Sequence, residues 1–159
     1  MQTCSASSQP REIILKIPLH IKVYGDQKYR NKKCPKEDNE LITFVNRIRT
    51  KYPDTYGRLL VHPENEQKLI NGQFQVISKS RAKGMSKGAP DIIIPCFPMP
   101  FLCEMKRRDM TLSDISDEQI EYLTIANTIN CFACVALGAD AATEAFNDWL
   151  IICKKHLTS

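Results

Sequence analysis

Apolar residues recur along this chain in two rhythms. From Glu37 to Lys51 they fall at Leu41, Ile42, Phe44, Val45 and Ile48, the spacing of one helix face, and Pro53 marks the far boundary. The same spacing predicts a helix from 116 to about 128. A last helix follows, capped by Asp140, with Ala141, Ala145, Phe146, Trp149 and Leu150 as its apolar stripe. Lys154, Lys155 and His156 stand where a helix C-terminus favours cations. Between the helices lie continuous apolar runs at 91–95 (DIIIP), 101–106 (FLCEMK) and 131–137 (CFACVAL), the pattern of strands buried on both faces. Residues 97–100 form a proline turn between the first two.

Shorter signals complete the pass. Residues 58–62 (RLLVH) read as a strand, and 11–17 and 20–24 as two more around Pro18, an edge hairpin. Residues 25–36 form a basic linker, and 64–83 carry a turn at Asn71-Gly72 and room for a helix after it. From residue 37 the order is helix, strand, strand, strand, helix, strand, helix. It predicts an α/β domain, a central mixed sheet flanked by helices, over 37–159, with 1–36 as an N-terminal strand extension and linker.

Composition narrows the class. The 159 residues are 43% hydrophobic and 25% charged, enough for one domain with a real core and too apolar for dominant disorder. No run approaches the roughly 18 apolar residues of a membrane helix, and the first ten residues lack the apolar core of a secretory signal. A soluble cytoplasmic protein with no membrane partner is expected. Net charge is +4, but residues 1–90 hold 17 basic and 8 acidic side chains, whereas 91–159 hold 5 and 10. A polyanionic partner for the first part would account for that split. The seven cysteines make an odd count, so a disulfide framework is not expected. Cys131 and Cys134 form a CxxC without a second pair or a nearby histidine, and alternation puts them on opposite faces of a strand. Buried thiols explain them better than metal or redox chemistry.

The chemistry concentrates near Asp91. That aspartate opens an apolar strand, and the next strand carries Glu104 and Lys106 on one face, with Met105 opposite. The short turn between the strands allows Asp91 and Glu104 to converge. Two close carboxylates repel unless a cation lies between them, and a hard divalent ion such as Mg²⁺ takes oxygen ligands from both. A lysine beside such a site positions or deprotonates a water, or stabilises charge on a phosphate, which suits metal-assisted phosphodiester hydrolysis. A surface ion pair of Glu104 with Lys106 and a turn aspartate at 91 is the plainer alternative. Arg81, Lys83 and Lys87 before the motif, and Arg107 and Arg108 after it, would contact a DNA backbone.

Gly88-Ala89-Pro90-Asp91 followed by Glu104-Met105-Lys106 resembles the signature of the PD-(D/E)xK nuclease superfamily. The stretch from Glu40 to about Ala142 is similar to its VRR-NUC branch, known from phage and DNA-repair nucleases. Glu40 on the first helix, His62-Pro63-Glu64-Asn65, and the segment from Leu112 to Gln119 add to the likeness. Arg107-Arg108-Asp109 and Asp114-Ile115-Ser116-Asp117 stand where the family often has proline.

The resemblance implies a restriction-endonuclease-like core and a Mg²⁺- or Mn²⁺-dependent endodeoxyribonuclease. Asp91, Glu104 and the Met105 carbonyl would ligate the metal, with Glu40 helping directly or through water. Lys106 would serve the attacking water or the transition state, and Gln119 would lie close by, although Ser116-x-x-Gln119 also reads as a capping box. Small members of this branch resemble phage enzymes acting on branched DNA. A Holliday-junction resolvase working as a homodimer through residues 11–24, in a bacterial or phage-infected cell, is therefore expected. The alternatives are a restriction- or flap-type nuclease on the same fold, and a non-catalytic DNA-binding protein.

Overall fold

A computed structural model of the chain describes residues 17–63, 84 and 86–158. Its elements are β1 (Lys22–Tyr24), α1 (Glu37–Lys51), α2 (Tyr56–Leu59), β2 (Ile92–Ile94), β3 (Phe101–Lys106), a 3₁₀ turn (Met110–Leu112), α3 (Asp117–Thr128), β4 (Phe132–Leu137) and α4 (Ala139–Leu157). The four strands form one mixed sheet in the order β1-β4-β3-β2. β4 runs parallel to both β1 and β3, and β2 pairs antiparallel with β3.

The continuous apolar runs occupy the middle of the sheet. Every residue of β3 is buried, as are five of the six in β4, because helices cover both faces. On one face Phe101, Cys103 and Met105 pack with Phe44 and Ile48 of α1 and with Phe146 and Trp149 of α4. The Trp149 indole N–H reaches the Met99 carbonyl at 3.0 Å, which satisfies its only polar atom in the core. On the other face Leu102, Val135 and Leu137 pack with Leu123 and Ala126 of α3. Alternation along β3 therefore turns Glu104 and Lys106 toward the α3 side.

Three expectations need correction. Residues 58–62 are not a strand: 56–59 form the short helix α2, and only Val61 bridges the sheet, to Ile93. Tertiary packing decides this, since Tyr56 lies against Phe146 and Trp149 with ring centroids 5.6 and 5.3 Å apart. Gly57 presses so closely on the end of α1 that a Cβ would meet the Arg49 Cα and the Tyr52 carbonyl at 2.7 Å. Asp140 is not the cap of α4; that position is Gly138, with no side-chain cap, and Asp140 lies in the first turn. The strand expected at 20–24 shortens to Lys22–Tyr24, because a turn closes before it with Ile21 N–H donating to the Pro18 carbonyl at 2.9 Å.

Among the described strands, β1 and β2 form the two edges of the sheet. The rest of the expected hairpin, 11–16, and the segment 64–83 lie outside the described residues. Among the described residues, no helix is long and apolar enough to cross a membrane.

Candidate metal centre

The site forms where β3 ends, beside the start of α1 and the loop before β2. Glu104 and Lys106 are 1% and 4% exposed, so both charges are almost wholly removed from water. Lys106 Nζ lies 2.8 Å from Glu104 Oε1 and 3.7 Å from Glu37 Oε1, at the first residue of α1. Pairing of Ile92 with Cys103 draws Asp91 alongside the same strand, where its Oδ2 accepts from the Met105 N–H at 2.8 Å. Carboxylate oxygens of Glu37, Asp91 and Glu104 thereby lie within 4.8 Å of one another.

Surrounding hydrogen bonds fix these side chains. Ser113 Oγ donates to Glu37 Oε2 at 3.1 Å and accepts from the Arg107 N–H at 3.0 Å. On α3, Ser116 and Gln119 complete the capping box, with Gln119 Oε1 accepting from the Ser116 N–H at 3.0 Å. The Gln119 amide still donates from Nε2 to Glu104 Oε1 at 2.5 Å. Cap and site contact are thus served by one side chain. Gly88 makes this approach possible: its φ is +73°, and a Cβ there would lie 2.2 Å from the Glu118 carbonyl oxygen. The loop carrying Asp91 is seated against the start of α3 for that reason.

Electrostatics mark the cluster as strained without a further cation. Burial pushes Glu104 up to about 8, with the Asp91 charge adding to the rise against the pull of Lys106. Burial also raises Asp91, opposed by the Met105 N–H and by Lys106, and it raises Glu37. On Lys106 burial works downward, yet the carboxylates of Glu104 and Glu37 outweigh it and hold the ammonium above its ordinary value. Burial is the largest cause of the rise in all three acids, with neighbouring carboxylates adding to it, and a divalent cation among them would oppose that rise.

Glu104 Oε2 is buried and has no hydrogen-bond partner among the described residues. Such an orphan is costly unless something else meets it. The donor set here is carboxylate oxygen, which fits a hard ion such as Mg²⁺ or Mn²⁺. The residues present fit the group.

Asp91, Glu104, Lys106 and Gln119 come together as expected from the sequence. Glu40 does not join them. It points from α1 to the start of α4, where Oε2 accepts from the Ala139 N–H at 2.8 Å and Oε1 lies 3.3 Å from Arg108 Nε. Glu37, one turn earlier, takes the place expected for it. Met105 meets Asp91 through its N–H. Of the basic residues expected at DNA, Lys87 pairs with Glu118 at 2.8 Å, Arg107 donates to the Cys34 carbonyl at 2.7 Å, and Arg108 pairs with Glu40 and Asp140. Arg81 and Lys83 lie outside the described residues.

His62 Nδ1 lies 2.6 Å from the Asp91 carbonyl oxygen. Cys134 packs in the α1/α4 core and Cys131 against the α3 side, so the CxxC thiols do occupy opposite faces. Sequence reasoning missed Glu37 and Asp109. An Asp-x-Thr turn was the available signal for Asp109, which is 2% exposed and accepts from the backbone N–H groups of Thr111 and Asn31.

No protein-family model matches the chain, and neither the curated proteins nor the solved structures contain a match to it.

Proposed function

We propose that this chain is a Mg²⁺- or Mn²⁺-dependent endodeoxyribonuclease of the PD-(D/E)xK kind, with a restriction-endonuclease-like core, selective for branched DNA and working as a homodimer. The observation that carries the reading is the convergence of Glu37, Asp91 and Glu104 within 4.8 Å, with Lys106 beside them. The buried, unpartnered Glu104 Oε2 adds to it.

In this reading Glu37, Asp91 and Glu104 hold the cation, which when bound would polarise a phosphodiester and acidify a water. Gln119 and Lys106 occupy Glu104 Oε1, which keeps that carboxylate in one orientation and leaves Oε2 for the ion. The Met105 N–H does the same for Asp91 through Oδ2. In the metal-free site the carboxylates of Glu104 and Glu37 favour the Lys106 ammonium against burial. Beside a bound cation Lys106 would serve the attacking water or a phosphate oxygen.

Purified protein incubated with linear duplex, flap and four-way junction DNA, in Mg²⁺ and in EDTA, tests the proposal. Mg²⁺-dependent cleavage, strongest on the junction and abolished by Asp91→Asn and Lys106→Ala, is expected. Cleavage that survives EDTA or either substitution contradicts it. Salt-sensitive binding without cleavage would indicate the non-catalytic alternative. Cutting indifferent to junctions would indicate a restriction-type enzyme, and a preference for flaps a flap nuclease.

A further inference from the structure

The loop between β1 and α1, together with the first residue of α1, is fastened to the end of β3 and the residues after it at three successive points. Glu37 Oε1 meets Lys106 Nζ at 3.7 Å, the Cys34 carbonyl accepts from Arg107 at 2.7 Å, and the Asn31 N–H donates to Asp109 Oδ2 at 2.8 Å. The loop thus runs back along residues 106–109, one anchor per residue or two. Asn31 also closes a tight turn: Oδ1 accepts from the Lys33 N–H and the carbonyl from the Cys34 N–H, both at 2.9 Å. Cys34 is buried beneath the turn, while Lys32, Lys33 and Lys36 are exposed between the anchors. Among the described residues, none of these three lysines takes part in an ion pair. By contrast, the described arginines and lysine expected at DNA all have protein partners.

We infer that Lys32, Lys33 and Lys36 form a fixed clamp for a nucleic-acid backbone, leading its phosphates to the acidic group at Glu37. The inference rests on the nuclease reading for its substrate class and adds the surface that receives it. Uncompensated cations on a rigid backbone are what a sequence-independent phosphate contact needs. The three anchors supply the rigidity. Lys36 precedes Glu37 directly, so a strand held by the row arrives beside the carboxylates.

The test is binding of a fluorescent DNA duplex and a four-way junction by the full chain in EDTA, so that no cleavage intervenes, over a salt series. Lys32→Gln with Lys33→Gln is compared with a charge-matched control, Arg49→Gln with Lys51→Gln. The control lies at the far end of α1, about 20 Å from Glu37 at 1.5 Å per residue. The loop variant should weaken binding about 10-fold or more near 0.1 M salt and lower the slope of log K against log salt by up to about 2. The control should do much less. Equal effects of the two variants, or no binding by the unaltered chain, would overturn the clamp. DNA binding that depends on the loop lysines, with no cleavage in Mg²⁺, would leave the clamp standing and reject the nuclease.

Discussion

Gln119 donates to Glu104 Oε1 at 2.5 Å while its own carbonyl oxygen accepts from the Ser116 N–H at 3.0 Å. One amide therefore caps α3 and orients a buried carboxylate. Gln119→Ala should remove both effects and cost about 2 kcal/mol, summing a capping arm and a buried hydrogen bond. Urea unfolding of the metal-free protein measures it. A loss no larger than a cap alone would mean that the Glu104 contact contributes nothing.

Lys106 is the cation that makes burial of Glu104 tolerable, with Nζ 2.8 Å from Oε1. Lys106→Met removes that cation, raises the Glu104 pKa further and should destabilise more at pH 8, where the ionised pair is populated in the unaltered protein, than at lower pH. The loss should shrink at pH 5.5, where Glu104 can stay protonated. Unfolding at the two pH values checks both parts.

Stability of the metal-free protein should fall as pH rises through the neutral range. Glu104 holds its proton up to about 8 when folded, against an ordinary value of 4.5, so between those values the folded state binds more protons. Asp91 and Glu37 are shifted in the same direction. The lowered aspartates, Asp109, Asp140 and Asp148, act in the opposite sense, but below their ordinary 3.8. Thermal unfolding from pH 5 to 8.5 should show a decreasing Tm, flattened by Glu104→Gln. A Tm that rises over this range would contradict the assignment.

Gly88→Ala should displace the loop that carries Asp91. The φ of +73° and the 2.2 Å approach to the Glu118 carbonyl leave no room for a methyl group. A cost of about 1–3 kcal/mol is expected from backbone strain. Mn²⁺ affinity should fall with it, since Asp91 moves. Unchanged calorimetric binding would show that the loop position does not matter to the site.

Much of this was readable from the chain. The bounds of α1 and β3 follow from periodicity, and Asp91, Glu104, Lys106 and Gln119 meet as their spacing and motif suggested. What escaped depends on distant partners. Glu37 and Glu40 both open α1 with the same local chemistry, and nothing near them in sequence distinguishes their roles. The choice is made about a hundred residues away, where the Ala139 N–H needs an acceptor and takes Glu40 at 2.8 Å. Residues 58–62 failed for a similar reason, since Tyr56 is claimed by Phe146 and Trp149.

Calorimetric titration of the full chain with Mn²⁺ tests the three-carboxylate centre most directly, comparing Glu37→Gln, Glu40→Gln and Asp91→Asn with the unaltered protein. The expected result is binding at one site, weakened at least 10-fold by Glu37→Gln and Asp91→Asn and changed little by Glu40→Gln. Absence of Mn²⁺ binding, or a loss caused by Glu40→Gln and not by Glu37→Gln, would contradict it.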